Sequence, residues 1–163
     1  MGKTFGVLAA LIFIALPLAI WLFGQLNFFA GRRPQDLGAR DGLLRPPMKT
    51  WRNVVSSQAD LHEHEPHHLI APLAYTGTGS YAMEKLLRVL QDMKGTTVVT
   101  AEPHYIHAEF KSMLLNMVDD AEFLLDESAS VIHMRSGSRL NRKDFGANRA
   151  RLETIRARFN TNT

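Results

Sequence analysis

Four side chains in the second half of the chain have the types and spacing for acid–base or metal chemistry: His107, Asp120, Glu122 and Arg135. An imidazole beside paired carboxylates can pass a proton or hold a divalent metal, and an arginine can stabilise developing charge. Strand geometry sets a condition. Successive side chains point to opposite faces, so Asp119 and Asp120 cannot both line one site, whereas Asp120 and Glu122 can. Alternation puts Ile106, Ala108 and Phe110 on one face of their strand and His107, Glu109 and Lys111 on the other. A site therefore requires the polar faces of these strands to meet, with His133 on a further strand within range.

A second group is HEHEPHH, which supplies His62, His64, His67 and His68 with Glu63 and Glu65. Imidazoles at this density suit zinc, copper or nickel. The spacing is not the helical H-E-x-x-H, and Pro66 interrupts it, so a solvated polar loop is the plainer reading. TGTGS at 76–80 lacks the lysine and spacing of a phosphate-binding loop and reads as a helix-capping turn. Ser136 and Ser138 have no G-x-S-x-G context and read as hydrogen-bonding residues. There is no cysteine, which excludes thiol catalysis, disulfides and thiolate metal sites. No cofactor is predicted.

Charge is segregated along the chain. Residues 102–127 hold seven acidic side chains against Lys111, and residues 135–158 hold seven arginines and Lys143 against Asp144 and Glu153. The two halves can pair within the fold, arginine taking carboxylates through its planar fork. Alternatively the basic carboxy-terminal helix faces anionic lipid or a partner. Nucleic acid is not expected: the net charge is only +3, and no aromatic–basic platform is present.

The elements that must position these residues begin with a polar loop at 59–68. Ile70 to Tyr75 then reads as a short strand, placed at a sheet edge by Pro72. Residues 80–94 read as a helix with Ser80 at its N-cap, an apolar stripe of Met83, Leu86, Leu87, Leu90 and Met93, and Gly95 as its stop. Strands come next at 96–101, 105–111, 114–125 and 130–135, then a loop over 137–144. A last helix over 145–159 carries Leu152, Ile155 and Phe159 inward. The order β-α-β-β-β-β-α predicts an α+β domain of two layers, a mainly antiparallel sheet under two helices.

Ahead of this domain, residues 5–23 carry no charged or strongly polar side chain. At about 1.5 Å per residue they make roughly 28 Å of helix, close to the hydrocarbon thickness of a bilayer. No small-x-small cleavage site comes after it, and Trp21, Phe23, Phe28 and Phe29 gather at the outgoing end as interfacial residues do. Residues 1–30 are thus predicted to be a single-pass anchor and 31–58 an extended lead-in rich in Pro and Gly. The domain occupies 59–160, with a short tail at 161–163. The flanks conflict over direction. Arg32, Arg33, Arg40 and Arg45 favour a cytoplasmic domain, while a helix with a short positive amino-terminal flank commonly exports the domain behind it. The extracytoplasmic side is the working expectation.

Beyond these physical readings, YIHAEF, VDDAEF and VIHMRSGSRLNRKDFGANRARLETIR resemble the family called domain of unknown function 1499. Its pattern falls on Asp119, Asp120, Glu122, Arg135, Ser136, Ser138, Arg139, Asp144, Gly146, Asn148 and Arg149. LGARDGLLRPP and NVVSSQ match the family's lead-in, which often carries a cysteine pair; Pro47 and Val54 stand there instead. The resemblance implies an identity and no activity. The expected function is that of a membrane-anchored accessory protein docking on a larger membrane complex or a lipid surface. The alternatives are a hydrolytic or metal-dependent enzyme using the His107, Asp120, Glu122 and Arg135 cluster, and a carrier of a hydrophobic ligand.

Overall fold

A computed structural model describes residues 2–47, 52–140 and 143–161, with side chains from residue 11 onward. Helix α1 (Gly2–Gln25) precedes strands β1 (Val54–Ser56) and β2 (Leu73–Ala74), helix α2 (Gly79–Gln91), strands β3 (Thr96–Ala101), β4 (Tyr105–Lys111), β5 (Val118–Asp126) and β6 (Val131–Ser138), and helix α3 (Ala147–Thr161). The strands form one antiparallel sheet in the order β1-β6-β5-β4-β3, and β2 also pairs with β6. Since β5 holds one side of β6, β1 and β2 lie end to end along the other. The α+β class is as expected, with one more strand than predicted.

The additional strand, β1, lies inside the segment expected to be extended lead-in. Three residues among prolines and glycines carry no periodicity; the strand exists because it pairs with β6, about 80 residues later in the chain. β5 begins at Val118 rather than 114 because residues 112–117 close a turn, with Ser112 donating to Met117 O at 2.9 Å and Asn116 at positive φ. β6 runs on to Ser138, three residues beyond the prediction. In α2 the cap is Thr78, whose side chain accepts from Tyr81 N, so the helix starts one residue before Ser80.

Helices α2 and α3 cover one face of the sheet. Leu86 and Leu90 from α2, with Leu152, Ile155 and Phe159 from α3, meet Ile106, Ala108, Phe110, Ala121, Phe123, Ile132 and Met134. Burying this apolar surface is the main source of stability, each large side chain contributing about 1.5–3 kcal/mol. The opposite face is buried as well: β5 is enclosed on both sides over 120–125. It is covered by the segment over 31–47, which lies across the polar side chains of β4, β5 and β6.

Helix α1 carries its apolar side chains outward. Phe13, Ile14, Leu16, Leu18, Trp21 and Phe23 are all exposed. Among the described residues no helix is long and apolar enough to cross a membrane. The predicted span over 5–23 lies within α1, whose side chains are described only from residue 11. The part from 11 to 25 amounts to about 22 Å, short of a ~30 Å hydrocarbon core.

Candidate functional site

The helix-free face of the sheet brings together the four residues singled out for chemistry. Register sets His107 opposite Glu122, Glu109 opposite Asp120, and Glu122 opposite Arg135. Directly opposed side chains on one face start about 5 Å apart, near enough to bond. Arg135 Nη1 donates to Glu122 Oε2 at 3.0 Å, and His107 Nε2 lies 2.8 Å from Asp120 Oδ1 on the diagonal. Asp119 points the other way, toward α3, as strand alternation requires.

Arg139, just past the end of β6, closes the cluster. Its Nε donates to Asp120 Oδ2 at 2.8 Å, and its Nη2 reaches both Asp120 Oδ1 and Glu109 Oε1. The covering segment bonds the cluster at two points and itself once. Arg33 Nε donates to Glu109 at 2.8 Å, Gly38 N donates to Glu122 Oε1 at 2.8 Å, and within the segment Arg45 pairs with Asp36 at 2.9 Å. Gly38 sits at φ +113°, in the left-handed half of the map that glycine tolerates. Tyr105 Oη also donates to Glu122 Oε1, at 2.8 Å. Glu122, wholly buried, thus accepts from a guanidinium, a phenol and a backbone amide.

These contacts set the protonation states. Burial alone would raise the Asp120 carboxyl, but bonding to Arg139 and His107 outweighs it and holds the group below the usual range. Glu109 is likewise lowered: burial opposes the change, and Arg139 and Arg33 overcome it. The Asp120 bond, with help from Glu109, raises Arg139 further. Burial, then the charge of Glu122, pushes the Tyr105 phenol well up. Arg135 is lowered by burial, with Glu122 opposing.

Ligand atoms of His107, Glu109 and Asp120 lie within 4.8 Å of one another, the separation of a three-ligand metal site. The guanidinium of Arg139 bonds to both carboxylates of that set. A cation already occupies the place a metal would need, so these residues suit a metal only if Arg139 leaves. A cavity of about 260 Å³ opens alongside, walled by Asp36, Arg45, Asp120, Arg135 and Arg139, and Arg135 Nε is buried there without a partner. His107 and Tyr105 line a neighbouring cavity of about 420 Å³ with Arg33 and Thr100. Glu122 reaches neither.

The remaining motif residues form a second network on the helix side. Asn148, fully buried, shares the two hydrogens of Nδ2 among Asn53 O, Ser138 Oγ and Asp144 Oδ2, and accepts at Oδ1 from Ser136 Oγ and Arg151. It ties the segment before β1, the end of β6 and the start of α3 together. Asp144 accepts from the N–H groups of Gly146 and Asn148 and closes the turn ahead of α3. Arg149 Nη2 donates to the carbonyls of His67 and Leu69, and Arg151 bonds Asp119 and stacks on Phe110 at 4.8 Å. The acidic strands and the basic tail therefore meet inside the fold.

The histidine-rich segment is folded against the domain. Residues 59–61 and 66–68 form single 3₁₀ turns; His68 is fully buried and accepts from Glu65 N, while His64 Nδ1 lies 2.9 Å from His62 O. His133 bonds Ser57 Oγ and approaches Asp126, away from the cluster. Tyr105 and Glu109 were available to sequence reasoning, since both share the strand face of His107. Arg33, Gly38 and Arg45 were not: nothing local shows that a proline- and glycine-rich stretch will fold back over a sheet.

A family model described as a protein of unknown function, DUF1499, matches residues 44–159. No curated protein matches the chain, and no solved structure does.

Proposed function

We propose that this chain, which belongs to the DUF1499 family, is a single-pass membrane-anchored accessory protein whose α+β domain docks on a larger membrane complex at the bilayer surface. The observation that carries this reading is α1: its large apolar side chains from Leu11 to Phe23, Phe13, Ile14 and Leu18 among them, are exposed. Such a surface in water is an aggregation liability, and lipid removes the cost. The extracytoplasmic side is proposed for the domain, with Lys3 on the opposite flank of the apolar run.

The charged face supports a structural part for the cluster. Every carboxylate in it is bonded to a guanidinium, and Glu122 is sealed from both cavities. An ion-pair network of this kind stabilises a geometry, here the docking of the lead-in on the sheet. A second reading as a hydrolytic enzyme rests on one observation, the His107–Asp120 pair beside a cavity. Extraction of the full chain from native membranes in mild detergent, followed by native mass measurement, tests the accessory reading. A complex with a larger partner supports it; a monomer under every gentle condition contradicts it.

A further inference from the structure

The turn between β4 and β5 touches the outgoing end of α1. A methyl group on Gly24 would meet Leu115 Cα at 2.8 Å, so this close backbone approach requires glycine. Gln25 Nε2 donates to Leu114 O at 3.4 Å. The side chains around this contact nevertheless point outward. Met113 is 87% exposed and Leu114 72%, beside Leu26 at 76% and Phe28 at 72%. The rings of Phe23, Phe28 and Phe29 are in successive contact and carry the apolar surface of α1 beyond the end of the helix.

We propose that residues 112–117 are a second membrane contact: Met113 and Leu114 enter the interfacial zone of the bilayer where α1 emerges. This rests on the reading of α1 as a membrane anchor. The occupant is lipid because the patch is continuous with the exposed apolar surface of α1, and both require the same surroundings. Its position matches as well. Trp21, an interfacial residue type, lies one helical turn before Gln25, so a turn held at Gly24 and Gln25 stands at headgroup depth. Two contacts fix what one cannot. A lone helix lets its domain swing, whereas a helix and an apolar turn set the tilt of the sheet, with β5 rising away from the membrane.

The chain has no cysteine, so single nitroxide labels can be placed without background. The full chain would carry Leu18→Cys, Met113→Cys or Ser128→Cys in turn, in phosphatidylcholine nanodiscs. Collision with oxygen, which concentrates in lipid, is compared with collision with an aqueous nickel chelate. Labels at 18 and 113 are expected to favour oxygen, and the label at 128, in the turn at the far end of β5, to favour the chelate. A label at 113 that behaves like 128 while 18 remains in lipid overturns the second contact and leaves the anchor standing. A label at 18 that behaves like 128 overturns the anchor, and this inference with it. Met113 and Ser128 are exposed, so neither label disturbs packing.

Discussion

Gly38 donates its backbone N–H to Glu122 Oε1 at 2.8 Å, joining the segment that follows α1 to the middle of the central strand β5. The lead-in is therefore part of the folded domain and not a slack tether. Glu122 holds Gly38 on one side and Arg135 on the other, so one carboxylate joins the covering segment to β6.

Glu122→Gln keeps the shape and removes the charge, leaving Arg135 buried without its counter-ion. Breaking a buried pair from one side typically costs about 3–5 kcal/mol. Urea unfolding of the detergent-solubilised chain is expected to show a loss in that range. A loss below about 1 kcal/mol, the scale of an exposed pair, would contradict the view that Glu122 anchors the segment.

Acid should weaken the domain through Asp120 and Glu109. Both carboxyls are held below the values of 3.8 and 4.5 that such groups otherwise show. As the pH drops into that range the unfolded chain takes up protons first, so stability falls with pH. The contribution is complete above the ordinary values and is lost as pH falls through the lowered ones. Thermal melts from pH 6 to pH 3 should show a falling midpoint. Asp120→Asn should lower the midpoint at pH 6 and flatten its slope below pH 4; an unchanged slope would refute the assignment.

Asn148→Ala removes the buried amide that bonds Asn53 O, Ser136 Oγ, Ser138 Oγ and Asp144, while Asn53 O keeps Ser138 N and Ser136 Oγ keeps Arg151. Each buried hydrogen bond lost costs about 0.5–1.5 kcal/mol, so this variant should be among the most damaging on α3. Asp144→Ala removes the turn ahead of the helix and one of the bonds of the Asn148 amide, and should cost about 0.5–2 kcal/mol. Urea midpoints in the reverse order would show that Asn148 is not the hub.

Gly24→Leu drives a side chain into the backbone of Leu115 and should part the 112–117 turn from α1. Hydrogen exchange at the amides of 112–117 is expected to accelerate, while exchange in β5 is unchanged. Equal rates in variant and wild type would mean the close approach does not persist in solution.

Local patterns made much of this architecture legible. The stripe of Leu152, Ile155 and Phe159 and the alternation of β4 mark their buried faces without any knowledge of the fold, because each element repeats with its own period. The same alternation separates Asp119 from Asp120 and places Asp120 with Glu122. The parts that could not be read are non-local. β1 is a strand only because β6 lies beside it, and Gly38 is a ligand of Glu122 only because the chain turns back over the sheet. The histidines of the 62–68 segment look like metal ligands in sequence, yet His68 turns inward to accept from Glu65.

Both the docking role and the second membrane contact depend on the anchor, and alkaline carbonate extraction of membranes containing the full chain tests it most directly. Carbonate strips proteins held by surface contact and leaves those that span the bilayer. The chain is expected to stay in the membrane pellet; release into the supernatant would contradict a spanning anchor.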